Sequence, residues 1–240
     1  MDFRQRLLAT LRAAEPVLSV PGVLVIGSEL PNLWEPGVAS SLVVSEDVDV
    51  GVPIHAHLEV EARLSEMSLF APSNDEPSVW LPQVEGLLEL NFVGLPDAGT
   101  PLSDLIPIEG ERMSMLVFGT LGLLRPGRVL ELDGMRIPMP ERAGGMLEKL
   151  VSERSGLKGD RDLLVVLGIL MNAEEADLKQ LAEAYAGLPD ELRHSVRSNV
   201  TLLSLLQPVV GMPGPLGQRE RVHDLLCRLE AAEAQRTEPP

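Results

Sequence analysis

Two carboxylates stand two residues apart in the stretch that runs from Ser45 to Gly51, with the sequence S-E-D-V-D-V-G. In an extended strand residues i and i+2 share one face, so Asp47 and Asp49 are predicted to project side by side. Two adjacent carboxylates repel each other unless a cation lies between them. Oxygen ligands suit a divalent cation whose coordination is often completed by substrate phosphates. The stretch therefore predicts a site for metal and nucleotide.

Two further strands are predicted to supply the rest of this site. Residues 23–26 form an apolar run that ends at Gly27 and Ser28, and small residues let backbone N–H groups and a hydroxyl approach phosphates. The second run, 87–93, alternates so that Glu89 lies on a polar face. We expect Gly27 and Ser28 to contact the β- and γ-phosphates and Glu89 to be the third metal ligand. Two alternatives stay open, namely Glu85 as that ligand and Glu89 as an ordinary strand carboxylate.

The composition is that of a soluble globular protein, with 45% hydrophobic and 23% charged residues in 240. A single cysteine, Cys227, cannot form an intrachain disulfide and favours a reducing compartment. The N-terminal residues show no signal-peptide pattern, and no apolar run is long enough to span a membrane. We expect a cytoplasmic protein without a membrane partner.

Charge is distributed unevenly along the chain, whose formal net charge is −16. Residues 1–135 hold 20 of the 36 acidic residues but only 7 of the 20 basic ones, and every lysine lies beyond them. Such an acidic protein does not attract nucleic acid in general, so a polyanionic ligand must be held by metal or by a local basic patch. We expect Lys149 and Lys158 to neutralise a triphosphate; the alternative for Lys149 is the solvated end of a helix.

The predicted elements change in type near residue 138. Before it we predict helices over 3–14 and 55–67, strands over 23–26 and 87–93 and within 38–50, loops over 71–78 and 94–111, and a hairpin around Asp133-Gly134. After it we predict helices near 140–155, 160–171, 174–186, 190–206 and 216–236. The predicted fold class is α+β, a mixed β-sheet with flanking helices followed by an all-helical C-terminal half. The predicted domains are 1–137 and 138–240.

The segments Glu148-Lys149-Leu150 and Lys158-Gly159-Asp160-Arg161-Asp162-Leu163-Leu164 complete a set of motifs with Gly27-Ser28 and the Ser-Glu-Asp-Val-Asp block. The set resembles the DNA polymerase beta-like nucleotidyltransferase superfamily over roughly residues 20–170. It most resembles the bacterial abortive-infection nucleotidyltransferases, some of which are toxins of toxin–antitoxin pairs. The resemblance implies a nucleotidyltransferase-like fold and, for a toxin, a cognate antitoxin protein as partner.

The chemistry of nucleotidyl transfer accounts for the carboxylates. An acceptor hydroxyl must be activated, the α-phosphate polarised and the pyrophosphate neutralised, and two metal ions held by carboxylates do this. We therefore expect Asp47 and Asp49 to hold two Mg²⁺ ions, with Glu89 as third ligand and candidate base for the hydroxyl proton. The substrate would be an NTP, and the acceptor RNA, a protein side chain or a small molecule.

Two other hypotheses remain open. The resembling group commonly has an arginine just before the Ser-Glu-Asp block, where this chain has Val43 or Val44. That difference favours a catalytically weak or inactive module that binds nucleotide or protein. A third hypothesis is a helical adaptor formed by residues 174–236. Three smaller expectations are a surface pair of His55 and His57, a buried thiol at Cys227, and Arg161 and Asp162 in either a structural salt bridge or a substrate contact.

Overall fold

The structure, a computed structural model, describes residues 2–34, 45–152, 157–205 and 215–237. The described residues form two compact units. One, the α/β unit, comprises residues 2–30 and 45–140; the other, the helical unit, comprises residues 31–34, 141–152, 157–205 and 215–237. The described residues do not include Val43, Val44 or the first part of the predicted strand region 38–50. They also do not include the side chain of Lys158.

A mixed sheet forms the centre of the α/β unit. Its strands are β1 (Leu24–Ile26), β2 (Asp47–Pro53), β3 (Phe70–Pro72), β4 (Val79–Pro82), β5 (Glu89–Leu95), β6 (Leu105–Ile108) and β7 (Met115–Phe118). Within the described residues the strand order is β1-β2-β5-β4-β3, and β7 pairs with both β5 and β6. β2 and β5 run parallel, whereas β1 lies antiparallel to β2 and β4 antiparallel to β5. β2 and β5 are therefore interior strands.

The α/β unit also contains three helices and a hairpin: α1 (Phe3–Ala13), α2 (Glu15–Leu18), α4 (His57–Leu64), and the strands β8 (Leu130–Leu132) and β9 (Met135–Ile137). α1 begins at a capping box in which Asp2 and Gln5 exchange hydrogen bonds. Further along α1, the buried Thr10 hydroxyl accepts a 2.8 Å hydrogen bond from the Leu88 N–H. This bond fixes the chain just before β5.

The inner face of the sheet is apolar because large apolar side chains alternate with polar ones along β2 and at the start of β5. Val48 and Val50 of β2 are fully buried, as are Leu90 and Phe92 of β5. The residues between them therefore point to the opposite face, because the side-chain period of a strand is two. This alternation places the polar residues of β2 and β5 together.

Helix α5 lies at the centre of the helical unit. The helices assigned here are α3 (Leu30–Trp34), α5 (Arg142–Val151), α6 (Leu157–Met171), α7 (Glu175–Ala186), α8 (Asp190–Leu205) and α9 (Pro215–Thr237). α5 packs against α6, α7 and α8, and every residue from Ala143 to Val151 is buried. α9 in turn packs against α6, α7 and α8.

The predicted fold class is confirmed, since the structure has a mixed sheet with helices followed by helices alone. The predicted loops are partly wrong, because β3 begins at Phe70 and β6 lies within 94–111. β4 and β7 were not predicted at all. None of the helices in the described ranges is long and apolar enough to cross a lipid bilayer.

Two smaller predictions about single side chains are wrong. His57 is 4% exposed rather than on the surface, and its Nε2 lies 2.7 Å from the Met113 carbonyl oxygen. His55 is exposed, as predicted. Cys227 is exposed rather than buried, and its Sγ lies 3.7 Å from His223 Nε2.

Candidate functional site

Asp47 and Asp49 lie on the same face of β2, as the sequence predicts. Both are half-buried, and the fully buried Val48 between them points into the core. Because β2 is an interior strand, its backbone is held by β5 over its whole length and by β1 at residues 49–51. The two carboxylates are therefore presented by rigid backbone.

Asp47 is oriented by a neighbour on its own segment. The Ser45 hydroxyl donates a hydrogen bond to Asp47 Oδ1, and Ser45 is itself only 4% exposed. A hydrogen bond from a neutral donor fixes a carboxylate while its charge is retained. Ser45 therefore sets the direction of Asp47 without neutralising it.

Asp49 is contacted from two neighbouring strands. On one side Asn91 of β5 donates from Nδ2 to Asp49 Oδ1 at 2.9 Å. On the other side Gly27, just after β1, lies so close that a Cβ there would overlap Asp49 Oδ2. Gly27 also has φ +87°, a conformation that glycine adopts without steric cost. Both the close contact and the positive φ favour glycine at this position.

Glu89 lies at the start of β5, in register with Asp47 on the parallel strand β2. Register partners on adjacent strands share a face, so Glu89 lies on the face of Asp47 and Asp49. Its side chain is exposed. Within the part of the chain that the structure describes, no three His, Cys, Asp or Glu side chains are grouped so as to hold a metal ion. Glu89 as a third ligand stays a prediction.

Ser28 follows Gly27 in a short 3₁₀ turn that spans Gly27–Glu29. Its hydroxyl donates to Glu29 Oε1 at 3.3 Å, a long hydrogen bond, and Ser28 is half-buried. Because Gly27 contacts Asp49, the turn lies next to this carboxylate, where the predicted phosphate contact would have to be. Phosphate binding by Gly27 and Ser28 stays a prediction.

Lys149 belongs to the helical unit, where two carboxylates surround it. Its Nζ lies 3.1 Å from Glu148 Oε2 and 3.7 Å from Asp162 Oδ1, and all three residues are buried. The alternative of a solvated helix end is therefore wrong, and of the two alternatives left open for Asp162 the structure shows a salt bridge, with Lys149. Lys158 lies in the first turn of α6. The predicted contact of both lysines with a triphosphate stays a prediction.

Asn91 and Ser45 were not predicted to have a role in this site. The alternation predicted for residues 87–93 puts Asn91 on the same face as Glu89, and Ser45 was part of the acidic block. The missing information was the pairing of β2 with β5, which joins residues 42 positions apart in sequence. A parallel pairing in the register that places Glu89 opposite Asp47 also places Asn91 opposite Asp49.

No protein-family model matches this chain, and no curated protein matches it in sequence. Solved structures that resemble it include an antigenic nucleotidyltransferase-like protein from Paracoccidioides brasiliensis, with 13% identity, a TM-score of 0.45, and coverage of 83% of this chain and 88% of that one. JHP933 from Helicobacter pylori has 16% identity, a TM-score of 0.39, and coverage of 95% and 94%. A putative nucleotidyltransferase from H. pylori has 15% identity, a TM-score of 0.37, and coverage of 98% and 99%. At this distance, the activity of this chain must be argued from its own residues.

Proposed function

We propose that this protein transfers a nucleoside monophosphate from an NTP to an acceptor hydroxyl and releases pyrophosphate. The observation that carries the proposal is the arrangement around β2. Asp47 and Asp49 share one face, Asn91 and Gly27 flank Asp49, and Ser45 orients Asp47. The resemblance of the Gly-Ser turn and the acidic block to nucleotidyltransferases supports the same reaction.

The donor atoms fit Mg²⁺. Asp47 and Asp49 offer carboxylate oxygens only, and Mg²⁺ is usually bound through one or two carboxylates, several waters and substrate phosphates. These two residues would hold the metal, with Glu89 as an additional ligand. Bound Mg²⁺ would polarise the α-phosphate and neutralise the charge of the leaving pyrophosphate.

The acceptor hydroxyl oxygen attacks the α-phosphorus, and a new P–O bond forms. The bond between the α-phosphorus and the oxygen that bridges to the β-phosphate breaks, and pyrophosphate leaves with that electron pair. The hydroxyl proton passes to the carboxylate of Glu89, whose exposed position at the start of β5 lets it return the proton to water. Gly27 and Ser28 contact the β- and γ-phosphates in this proposal.

The charge of the chain bears on the acceptor. Residues 1–135 contain 20 acidic and 7 basic side chains, a surplus that repels a long polyanion. A protein side chain or a small molecule is therefore favoured over RNA as the acceptor. Transfer of label to RNA would overturn this preference for the acceptor but would leave the proposed nucleotidyl-transfer reaction unchanged.

The test uses four α-labelled NTPs with Mg²⁺, supplied with total RNA and separately with total cell protein. We expect the wild-type protein to transfer label from at least one NTP, and Asp47→Asn and Asp49→Asn each to abolish the transfer. Glu46→Gln is the matched control, because it removes an exposed carboxylate from the same segment. Loss of transfer in all three variants, or in none, would contradict the proposed roles of Asp47 and Asp49.

A second candidate function is a nucleotide- or protein-binding module without catalysis. Two observations favour it: no three metal-binding side chains are grouped in the described ranges, and Lys149 is buried between two carboxylates. This candidate predicts that no NTP is consumed by wild type. It also predicts that any thermal stabilisation by NTP survives the Asp47→Asn substitution.

A further inference from the structure

We infer that Asn91 is a positioning residue of the Asp47/Asp49 site, and that it fixes Asp49 in the orientation needed to bind a divalent cation. The inference rests on the proposed function, because it assigns a role within the same site. It concerns a residue that neither bears charge nor is expected to touch the substrate.

The position of Asn91 is set by the strands on both sides of it. Its backbone pairs with Asp49 on β2 and with Val79 on β4. A residue held in an interior strand has little freedom of backbone, and sites built on strands are more precise than sites built on loops. The Nδ2 of Asn91 is therefore delivered to Asp49 Oδ1 by the sheet itself, at 2.9 Å.

The opposite side of the Asp49 carboxylate is limited by Gly27. A Cβ at that position would overlap Oδ2, and Ile26 next to it is the register partner of Asp49 on β1. The carboxylate thus lies between an amide donor on β5 and a glycine backbone after β1. Rotation of the Asp49 carboxylate in one direction would break its hydrogen bond with Asn91. Rotation in the other direction would bring it against the backbone at Gly27.

The residue type at position 91 matters as much as the position. A neutral amide orients the Asp49 carboxylate without adding charge, whereas an aspartate at position 91 would itself be a further carboxylate ligand for the cation. A leucine has the same number of side-chain heavy atoms and the same branching but would leave Asp49 Oδ1 without this donor. Residues that orient a metal ligand typically change metal affinity or activity by roughly 10- to 100-fold when replaced.

The experiment measures Mn²⁺ binding to the full chain by electron paramagnetic resonance and, in parallel, the Mg²⁺ concentration that gives half-maximal transfer. We expect Asn91→Leu to weaken Mn²⁺ binding by roughly 10-fold or more and to raise the Mg²⁺ requirement by a similar factor. Saturating Mg²⁺ should restore part of the kcat that Asn91→Leu loses. Asn91→Ala, which also removes the donor, should weaken binding by a similar factor, and Asn91→Ser, which keeps a donor, should lose less.

Val93→Ala is the matched control, since Val93 lies two residues further along β5 and packs against the apolar cluster of Leu24 and Ile26. It should lower thermal stability while Mn²⁺ affinity stays within twofold of wild type. A merely structural role for Asn91 would give the same pattern as Val93→Ala and would overturn the inference. Asn91→Ala, whose side chain is smaller than that of asparagine, keeps the test decisive even where Asn91→Leu fails to fold.

The two proposals fail in different ways. Wild type that binds Mn²⁺ and transfers label, with Asn91→Leu and Asn91→Ala equal to it, would reject the role of Asn91 and leave the proposed function standing. Wild type that neither binds Mn²⁺ nor transfers label would reject both.

Discussion

The two units of this molecule hold their acidic side chains in different ways. In the α/β unit, Asp47 and Asp49 are contacted by neutral donors, the Ser45 hydroxyl and the Asn91 amide. In the helical unit, buried or half-buried carboxylates meet opposite charges, as Glu148 and Asp162 meet Lys149. Neutral donors orient a charge, whereas an ion pair cancels it. We therefore interpret the first arrangement as suited to binding a cation and the second as suited to holding helices together.

The largest effect is expected from Lys149→Met, which tests the structural half of this comparison. It would leave two buried carboxylates next to each other, and breaking a buried pair in this way costs about 3–5 kcal/mol of unfolding free energy. Urea denaturation followed by circular dichroism measures the loss. Lys179→Met is the control, because the Lys179–Glu183 pair is exposed and such pairs contribute only about 0–1 kcal/mol. Unchanged stability with loss of transfer would instead assign Lys149 to the substrate.

A smaller effect is expected from Gly27→Ala, which tests the functional half. A non-glycine residue at positive φ costs roughly 1–2 kcal/mol, and here the new Cβ also overlaps Asp49. Gly134→Ala provides the comparison, since Gly134 has φ +77° but open space around the new Cβ. We expect thermal unfolding to show a larger loss for Gly27→Ala, and transfer to fall in that variant alone. Equal losses with full transfer in both would show that Asp49 moves aside freely.

The pH dependence of stability is expected to come partly from Glu233, on α9. The hydrogen bond from the Tyr185 hydroxyl lowers the pKa of Glu233 below its ordinary value of 4.5; burial opposes this shift, and Arg193 and Arg197 add to it. A depressed folded-state pKa gives stability that is present above pH 4.5 and is lost as the pH falls through the folded value. Thermal unfolding between pH 6 and pH 3 should show this loss in wild type, and less of it in Glu233→Gln.

Two variants sharpen that measurement. Tyr185→Phe removes the hydroxyl donor and should cost about 1 kcal/mol near neutral pH. Glu230→Gln removes an exposed carboxylate from the same helix and should leave the pH profile as in wild type. A profile for Glu233→Gln identical to wild type would assign the acid loss to other carboxylates.

The smallest effect is expected from Cys227→Ser. The side chain is exposed on α9, and surface substitutions usually change stability by no more than about 0.5 kcal/mol. A thiol reagent added to the folded protein should react with Cys227 at the rate of an exposed thiol. Protection of the thiol until the protein unfolds would contradict its exposed position.

Patterns within one element were predicted well from the sequence. Apolar spacing of about 3.6 residues gave α1 and the C-terminal helices, and Asp133-Gly134, both at positive φ, gave the β8–β9 hairpin. The exposure of Cys227 could also have been predicted from the sequence. Val222, Leu225 and Leu229 are buried at helical spacing, and Cys227 lies on the opposite side of the helix. That error came from counting apolar neighbours in sequence instead of around the helix.

Features that depend on pairing between distant strands were not predictable in the same way. β3, β4 and β6 each contain a proline, at Pro72, Pro82 and Pro107, and proline lowers the expectation of a strand. These strands are stabilised by neighbours that local patterns do not identify. The same limit applies to the site, where Asp47 and Asp49 follow from alternation but the contact of Asn91 with Asp49 follows only from the register of β2 and β5.

Helix α5 has a consequence for how the helical unit opens. A helix whose residues are buried all around has no solvated face, so it is not expected to persist once its neighbours separate. The amide hydrogens of Met146, Leu147 and Leu150 should therefore exchange with deuterium only when the whole unit unfolds, and they should be among its slowest. Removal of any helix that packs against α5 would expose its apolar side chains to water. We therefore expect a protease to degrade the helical unit as a whole and not to remove its helices one at a time.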